Sequence, residues 1–472
     1  MATALDRAVK DNTPVPCAAM TEVEARPHVP GPASPTVLED APDRRGWRMT
    51  SPRLAVSFGV LYLPFTVLGY GTDVDITNVL RSGESLLDGR YRYSRPPGAL
   101  PYEALVGVLD RVGGPTAVNL ASTAAAVALL CLLGRIVGDE LGDRPARIAV
   151  AVVGTQPWFW IAATSLGDYL FALALLLAGV LAARHDRRVL AGLAFATAVA
   201  FRSSTAFLVW GYLFAELVGS RGGLVGARRT APGSRWRDVL LTGIVTGAAG
   251  LAWFVPSWLS VGRTGAFLVN EFETTGFVAM VGRWGVKNIA FFGVFGLLVL
   301  VVLVPVLLDG LRLVRDSVLV RFAVLAAVAA EVLFLRFPWK PVHLLPVLVC
   351  LAVLLAASPR TRTWHVGALV TAQVLLAFVS ITVAEPDITN AATTGRLHLG
   401  TAWGVVVNDL DCRIDPPYGD EGWPDLDTPA ADYAAIDVFT CQARSWRPGG
   451  IPEDYGQGAS SDRPPPHQLP EG

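Results

Sequence analysis

Apolar runs of roughly 17–22 residues recur along this chain, separated by short polar segments, and each such run is long enough to cross a ~30 Å hydrocarbon layer. The pattern predicts about eleven helical crossings. They lie near Leu54–Tyr70, Ala117–Val137, Ile148–Ala163, Tyr169–Ala183, Val189–Phe201, Ser204–Leu217, Val239–Trp258, Ile289–Leu308, Val320–Leu335, Val342–Ala357 and Val366–Ala384. The fifth and sixth are short and separated only by Arg202-Ser-Ser-Thr205, so hydropathy alone would also allow one merged span.

Charge decides that ambiguity. With the N-terminus inside, every inner segment is basic: Arg44, Arg45, Arg48 and Arg53; Arg135, Arg144 and Arg147; Arg184, Arg187 and Arg188; Arg221 to Arg237; Arg312 and Arg315; Arg360 and Arg362. This is the positive-inside bias, and merging the two short spans would place the Arg221–Arg237 cluster outside. The expected protein is an all-α polytopic membrane protein with its N-terminus cytoplasmic and its C-terminus extracytoplasmic. Composition agrees: 52% of the 472 residues are hydrophobic, 17% are charged, and the net charge is −1.

Four regions are expected. Residues 1–50, rich in proline and charge and without an apolar core, read as a disordered cytoplasmic tail with no cleavable signal. Residues 51–384 form the membrane domain, 385–448 a small acidic exported region, and 449–472 an unstructured end. Cys412 and Cys441 are the extracytoplasmic cysteines in this topology, and an exported pair favours a disulfide.

No CxxC pair, His–Cys cluster, Walker loop or GxSxG elbow is present, so soluble-enzyme chemistries find no support. Ionisable groups instead collect in the outer loops. The first loop holds Asp73 and Asp75 directly after the first span. Then comes Leu87-Asp-Gly-Arg90-Tyr-Arg92-Tyr-Ser-Arg95-Pro96-Pro97-Gly98, followed by Glu103. Asp168 precedes the fourth span, Arg202 separates the fifth and sixth, and Arg336-Phe-Pro338-Trp-Lys340-Pro-Val-His343 joins the ninth and tenth. Arginines kept on the translocated side cost insertion energy, which argues for anion binding. A guanidinium forks onto phosphate oxygens, and Lys340 offers a point charge. A carboxylate can take a sugar acceptor's hydroxyl proton or hold a divalent cation.

Plainer readings stand beside these. Asp73 and Asp75 would serve as caps at the interface, Asp168 as the helix N-cap of the fourth span, and Arg202 as a cation snorkelling to the headgroups. Glu331, inside the ninth span, needs a partner such as an arginine on a neighbouring helix. His343 reads as a helix-start histidine. Trp158, Trp160, Trp253, Trp258 and Trp339 read as interfacial anchors.

Taken in order, the outer motifs resemble the GT-C superfamily of membrane glycosyltransferases, in particular the branch of protein O-mannosyltransferases and lipid A aminoarabinose transferases. The resemblance runs from about Ser57 to Ala357. It rests on Asp73 and Asp75, the Leu87–Gly98 segment, Asp168, Ala200-Phe-Arg202-Ser-Ser-Thr205, and Pro338-Trp-Lys340-Pro-Val-His-Leu-Leu-Pro346. It implies a GT-C-like bundle and transfer of a sugar from a polyprenyl-phosphate carrier to a glycan, lipid or protein acceptor at the outer leaflet. Asp73 or Asp75 would be the catalytic base. Arg90, Arg92, Arg95, Asp168, Arg202, Arg336, Lys340 and His343 would bind substrate. Asp73 and Asp168 are the candidate ligands if a divalent metal ion is used. The chain departs from the family in two places: Val74 splits the acidic doublet, and His343 takes the place of the late tyrosine. The expected partners are a polyprenyl-phosphate-linked sugar and membrane lipids, not nucleic acid. Two other classes fit the residues: a non-catalytic protein that binds a lipid-linked precursor, and a transporter or flippase.

Overall fold

A computed structural model describes residues 50–71, 75–91, 93–219, 232–261, 277–338, 340–383 and 399–403. The expectations for Asp73, Arg92, Cys412, Cys441, the N-terminal tail and the acidic region beyond residue 403 lie outside these residues.

Thirteen helices are found among the described residues: α1 (Ser51–Tyr62), α2 (Ile76–Leu87), α3 (Leu100–Leu141), α4 (Asp143–Gly154), α5 (Pro157–Ala163), α6 (Tyr169–Arg184), α7 (Arg188–Phe201), α8 (Thr205–Val218), α9 (Pro232–Val261), α10 (Phe277–Gly310), α11 (Val318–Arg336), α12 (Leu345–Ala357) and α13 (Thr363–Phe378). The chain is a polytopic helical membrane protein. Four stretches, Leu100–Leu141, Arg235–Ser260, Met280–Arg315 and Val318–Arg336, are long and apolar enough to cross a bilayer, and five shorter apolar helices accompany them. Large apolar side chains such as Leu251, Leu259, Val301 and Val332 face outward, as they would toward lipid.

The two short spans are separate helices, α7 and α8, with Arg202 in extended conformation between them. Three expectations change. The third span is broken into α4 and α5, because Pro157 cannot continue a helix and Gln156 caps the new start through its side-chain oxygen. The last span ends at Phe378: the β-branched run Val379–Val383 forms strand β1, paired antiparallel with β2 (Leu399–Trp403). The first outer loop is not a loop. It contains α2 and the first three turns of α3, which reaches Val112 before Gly113 and Gly114 leave helical geometry and Pro115 starts the spanning part.

Glycine sets the crossing of α2 with α3. A Cβ built on Gly107 would lie 2.6 Å from the Gly83 carbonyl oxygen and 2.9 Å from its Cα. Backbone cannot yield as a flexible side chain does. Gly107→Ala is therefore expected to destabilise the protein by about 1–3 kcal/mol through forced separation of the two helices. Thermal unfolding in detergent would show this as a lowered midpoint, and an unchanged midpoint would exclude the crossing as described.

The chain after α1 is tied to the bundle by Asn119, fully buried on α3, whose amide donates to the carbonyls of Thr66 and Gly69. At Gly293, φ of +70° interrupts α10. The carbonyls just before this break are taken by the Trp158 indole (to Ala290, 3.0 Å) and the Gln156 amide (to Phe291, 2.7 Å). Trp158 is thus a buried bundle residue rather than an interfacial anchor.

Antiparallel packing of α6, α7 and α8 separates two polar ends. One carries Asp168 and Arg202. The other carries Arg184, paired with Glu140, and Arg188, within 3.5 Å of Asp186, Glu216 and Asp238. At this second end Arg321 donates to the carbonyls of Ala215 and Gly219, closing the C-terminus of α8. Arg184 and Arg188, from one of the basic segments of the sequence, thus lie at the end opposite Asp168.

Candidate functional site

Three separate pieces of chain meet at the Asp168 end. The first is the stretch after α1. Gly71, with φ of +106°, packs so closely on Ser165 that a Cβ would come within 2.4 Å of that side chain, and the Leu166 amide donates to the Tyr70 carbonyl at 2.7 Å. This contact brings Asp75, which opens α2, beside Asp168. The second piece is the turn Arg95–Gly98, closed by the Gly98 amide donating to the Arg95 carbonyl. Gly98 has φ of +96°, so a side chain there would be strained. The third is Lys340, extended between Pro338 and Pro341 just before a 3₁₀ turn over Pro341–Leu344.

These pieces converge on two carboxylates. Lys340 Nζ and Arg95 Nη1 both donate to Asp75 Oδ2, at 2.8 and 3.0 Å. The other terminal nitrogen of Arg95 reaches Asp168 Oδ2, and Arg202 Nη1 donates to Asp168 Oδ1 at 2.9 Å. Arg95 is therefore the bridge of the cluster. Asp168 is 2% exposed, whereas the side chains of Arg95 and Asp75 are about a third exposed, so the cluster is buried at one end and open at the other. Among the described residues, two carboxylates here meet three cations.

Asp75 is under opposed influences. Burial works to raise its pKa, but the charges of Lys340, Arg95 and Arg202 outweigh it and hold the carboxyl well below the usual carboxylate range. The group stays ionised, so its contribution to stability is present at neutral pH and is lost only as pH falls into the strongly acidic range.

Rings line the same site. The Arg202 guanidinium lies over the Tyr169 ring, 3.9 Å from its centroid. His343 sits between Tyr169 (5.6 Å) and Phe334 (6.2 Å). The structure thus brings together Asp75, Arg95, Asp168, Arg202, Lys340 and His343. It does not bring in Arg90, which is exposed, nor Arg336, which is exposed and contacts Met280 and the Phe337 ring.

Two plain readings of the sequence change here. Asp168 occupies the N-cap position of α6 but makes no side-chain capping bond, because both oxygens are taken by guanidinium groups. Arg202 does not reach outward to headgroups; it turns in to Asp168 and Tyr169. A third expectation concerned Glu331, which is met by the Trp284 indole at 2.7 Å rather than by an arginine. As a metal ligand Asp168 fits poorly, since neither oxygen is free of a cation. No group of three or more His, Cys, Asp or Glu side chains that could hold a metal gathers among the described residues.

Sequence reasoning ranked Arg90, Arg92 and Arg95 alike and assigned no role to Tyr169. The signal that singles out Arg95 is its place at the start of a Pro-Pro-Gly turn, where the backbone is most constrained.

No protein-family model and no curated protein sequence matches this chain. Two solved structures are similar to it, both of ArnT from Cupriavidus metallidurans. The one bound to undecaprenyl phosphate has a TM-score of 0.48 and 18% identity, covering 69% of this chain and 63% of that one. The apo state gives 0.44 and 19%, covering 64% and 58%. This chain thus spans about three fifths of the length of the solved structures it matches.

Proposed function

We propose that this protein is a GT-C-like glycosyltransferase that takes a sugar from a polyprenyl phosphate and passes it to a glycan, lipid or protein acceptor. One observation carries the reading: Lys340 and Arg95, far apart in sequence, converge on a single oxygen of Asp75 at the open side of the cluster. Two cations aimed at one oxygen form a seat for a phosphate oxygen.

The resting contacts imply an order of events. While Lys340 and Arg95 hold Asp75, that carboxylate is a weak base. A lipid-linked phosphate entering the seat competes for both cations, and Asp75, released from them, regains basicity. The acceptor hydroxyl then attacks the anomeric carbon as its proton passes to Asp75 or to neighbouring Asp73. The bond from that carbon to the phosphate oxygen breaks, and the electron pair leaves on the lipid phosphate, where Arg95 and Lys340 stabilise the charge. Asp168 keeps Arg95 and Arg202 in place throughout.

Asp75→Asn and Asp73→Asn test the reading. Each variant is expected to insert and purify normally. One or both should lose transfer of a labelled sugar from a polyprenyl-phosphate donor by a factor of about 10²–10⁴, the range for a lost general base. Full activity in both would refute it. Normal binding of polyprenyl phosphate by a wild-type protein that never turns over would favour a non-catalytic binding protein instead.

A further inference from the structure

Glu103 is fully buried in the first turn of α3 and meets none of the five charged groups of the cluster. It is occupied instead with the segment that leads into Arg95. Its Oε2 accepts from the Tyr91 hydroxyl at 2.6 Å, and its Oε1 accepts from the Ser94 amide at 2.8 Å and from the Ser94 hydroxyl. The Tyr91 oxygen also lies 3.1 Å from Ser257 Oγ on α9. On the far side of the turn, Gly98 packs against Ser257 so tightly that a Cβ would sit 2.1 Å from Oγ. The five residues from Ser94 to Gly98, Arg95 among them, are thus pinned at one end by a carboxylate on α3 and at the other by a serine on α9.

We propose that Glu103 is a positioning residue for the phosphate seat: through Ser94 and Tyr91 it fixes the backbone from which Arg95 reaches Asp75 and Asp168. The proposal rests on the lipid-phosphate reading of the cluster. A guanidinium that bridges two carboxylates with its two terminal nitrogens tolerates little displacement of its backbone, because both contacts depend on one planar group. A fully buried carboxylate is costly unless its lone pairs are used, and three donors from one short segment use them. Burial, followed by the Glu103 charge, pushes the Tyr91 phenol well above its usual range, so Tyr91 remains a hydrogen-bond donor to Glu103 at any working pH.

The test is a double-mutant cycle on the full-length protein in detergent, reading affinity for undecaprenyl phosphate. Tyr91→Phe and Glu103→Leu are each expected to weaken binding, the latter about tenfold, or 1.4 kcal/mol. In Glu103→Gln the amide oxygen can accept both Ser94 bonds while the amide nitrogen donates to the Tyr91 oxygen, so this variant keeps three contacts, one of them reversed, and should bind close to wild type. In an Arg95→Gln background, neither Tyr91→Phe nor Glu103→Leu should weaken binding further, because the residue they act through is gone. A merely structural role would give additive losses in that background and would overturn the proposal, as would wild-type affinity in Tyr91→Phe. If Glu103→Leu does not fold, Tyr91→Phe, which removes a single hydroxyl, still completes the cycle. Wild-type affinity in Arg95→Gln alone would overturn the lipid-phosphate reading itself, whereas weakened Arg95→Gln beside unchanged Tyr91→Phe overturns only the role of Glu103.

Discussion

Lys340→Gln is expected to weaken binding of a polyprenyl phosphate by about a hundredfold, equivalent to about 2.7 kcal/mol, and to reduce sugar transfer to background. The size follows from charge-assisted hydrogen bonding at a half-buried site, which exceeds what an exposed cation contributes. Lysine is scarce here, with Lys10, Lys287 and Lys340 the only three in the chain. Removing Lys340 leaves Asp75 still held by Arg95, so the protein should fold, with a stability change of about 1 kcal/mol. Lys340→Arg keeps the charge but changes a point donor to a planar fork, and should recover only part of the affinity. Equilibrium binding at two salt concentrations checks the idea, since the lysine contribution should shrink as ionic strength rises. Wild-type affinity in Lys340→Gln would remove the phosphate seat from consideration.

The membrane helices were legible because hydropathy over a span is a sum, insensitive to local detail, and because arginine placement independently separates α7 from α8. The pairing of Asp168 with Arg202 was within reach of the same logic. Asp168 stands one residue before α6 and Arg202 one residue after α7, and two adjacent antiparallel helices of similar length bring such positions level. Two things were hidden. The helices of the first outer segment, α2 and the start of α3, are too short and mixed to register as apolar runs, and their contact depends on Gly83 and Gly107, where the absence of a side chain carries the information. The bridging role of Arg95 was equally invisible. It depends on a turn geometry fixed by Gly98 and on Glu103, which acts through Ser94 and Tyr91 rather than through any periodic pattern. Residues that act by what they touch across the fold leave no periodic trace in sequence.

Asp168→Asn should have the largest effect on stability of any single change at the site. This carboxylate, 2% exposed, is the shared partner of Arg95 and Arg202, one on each oxygen. Neutralising it removes the carboxylate that Arg95 and Arg202 share, and among the described residues leaves Asp75 facing Arg95 and Lys340. Breaking a buried ion pair from one side costs about 3–5 kcal/mol, because the remaining charge is left uncompensated. The expected result is a clearly lowered unfolding midpoint in detergent, together with loss of activity. If charge imbalance is the cause, Arg202→Gln introduced into Asp168→Asn should restore part of the midpoint, since it removes one of the two stranded cations. The Arg202 guanidinium also rests on Tyr169, so the rescue should be incomplete. A double variant less stable than Asp168→Asn would show that Arg202 is held chiefly by the ring and not by the carboxylate. An unchanged midpoint in Asp168→Asn alone would mean that the cluster does not depend on this acid for its charge balance.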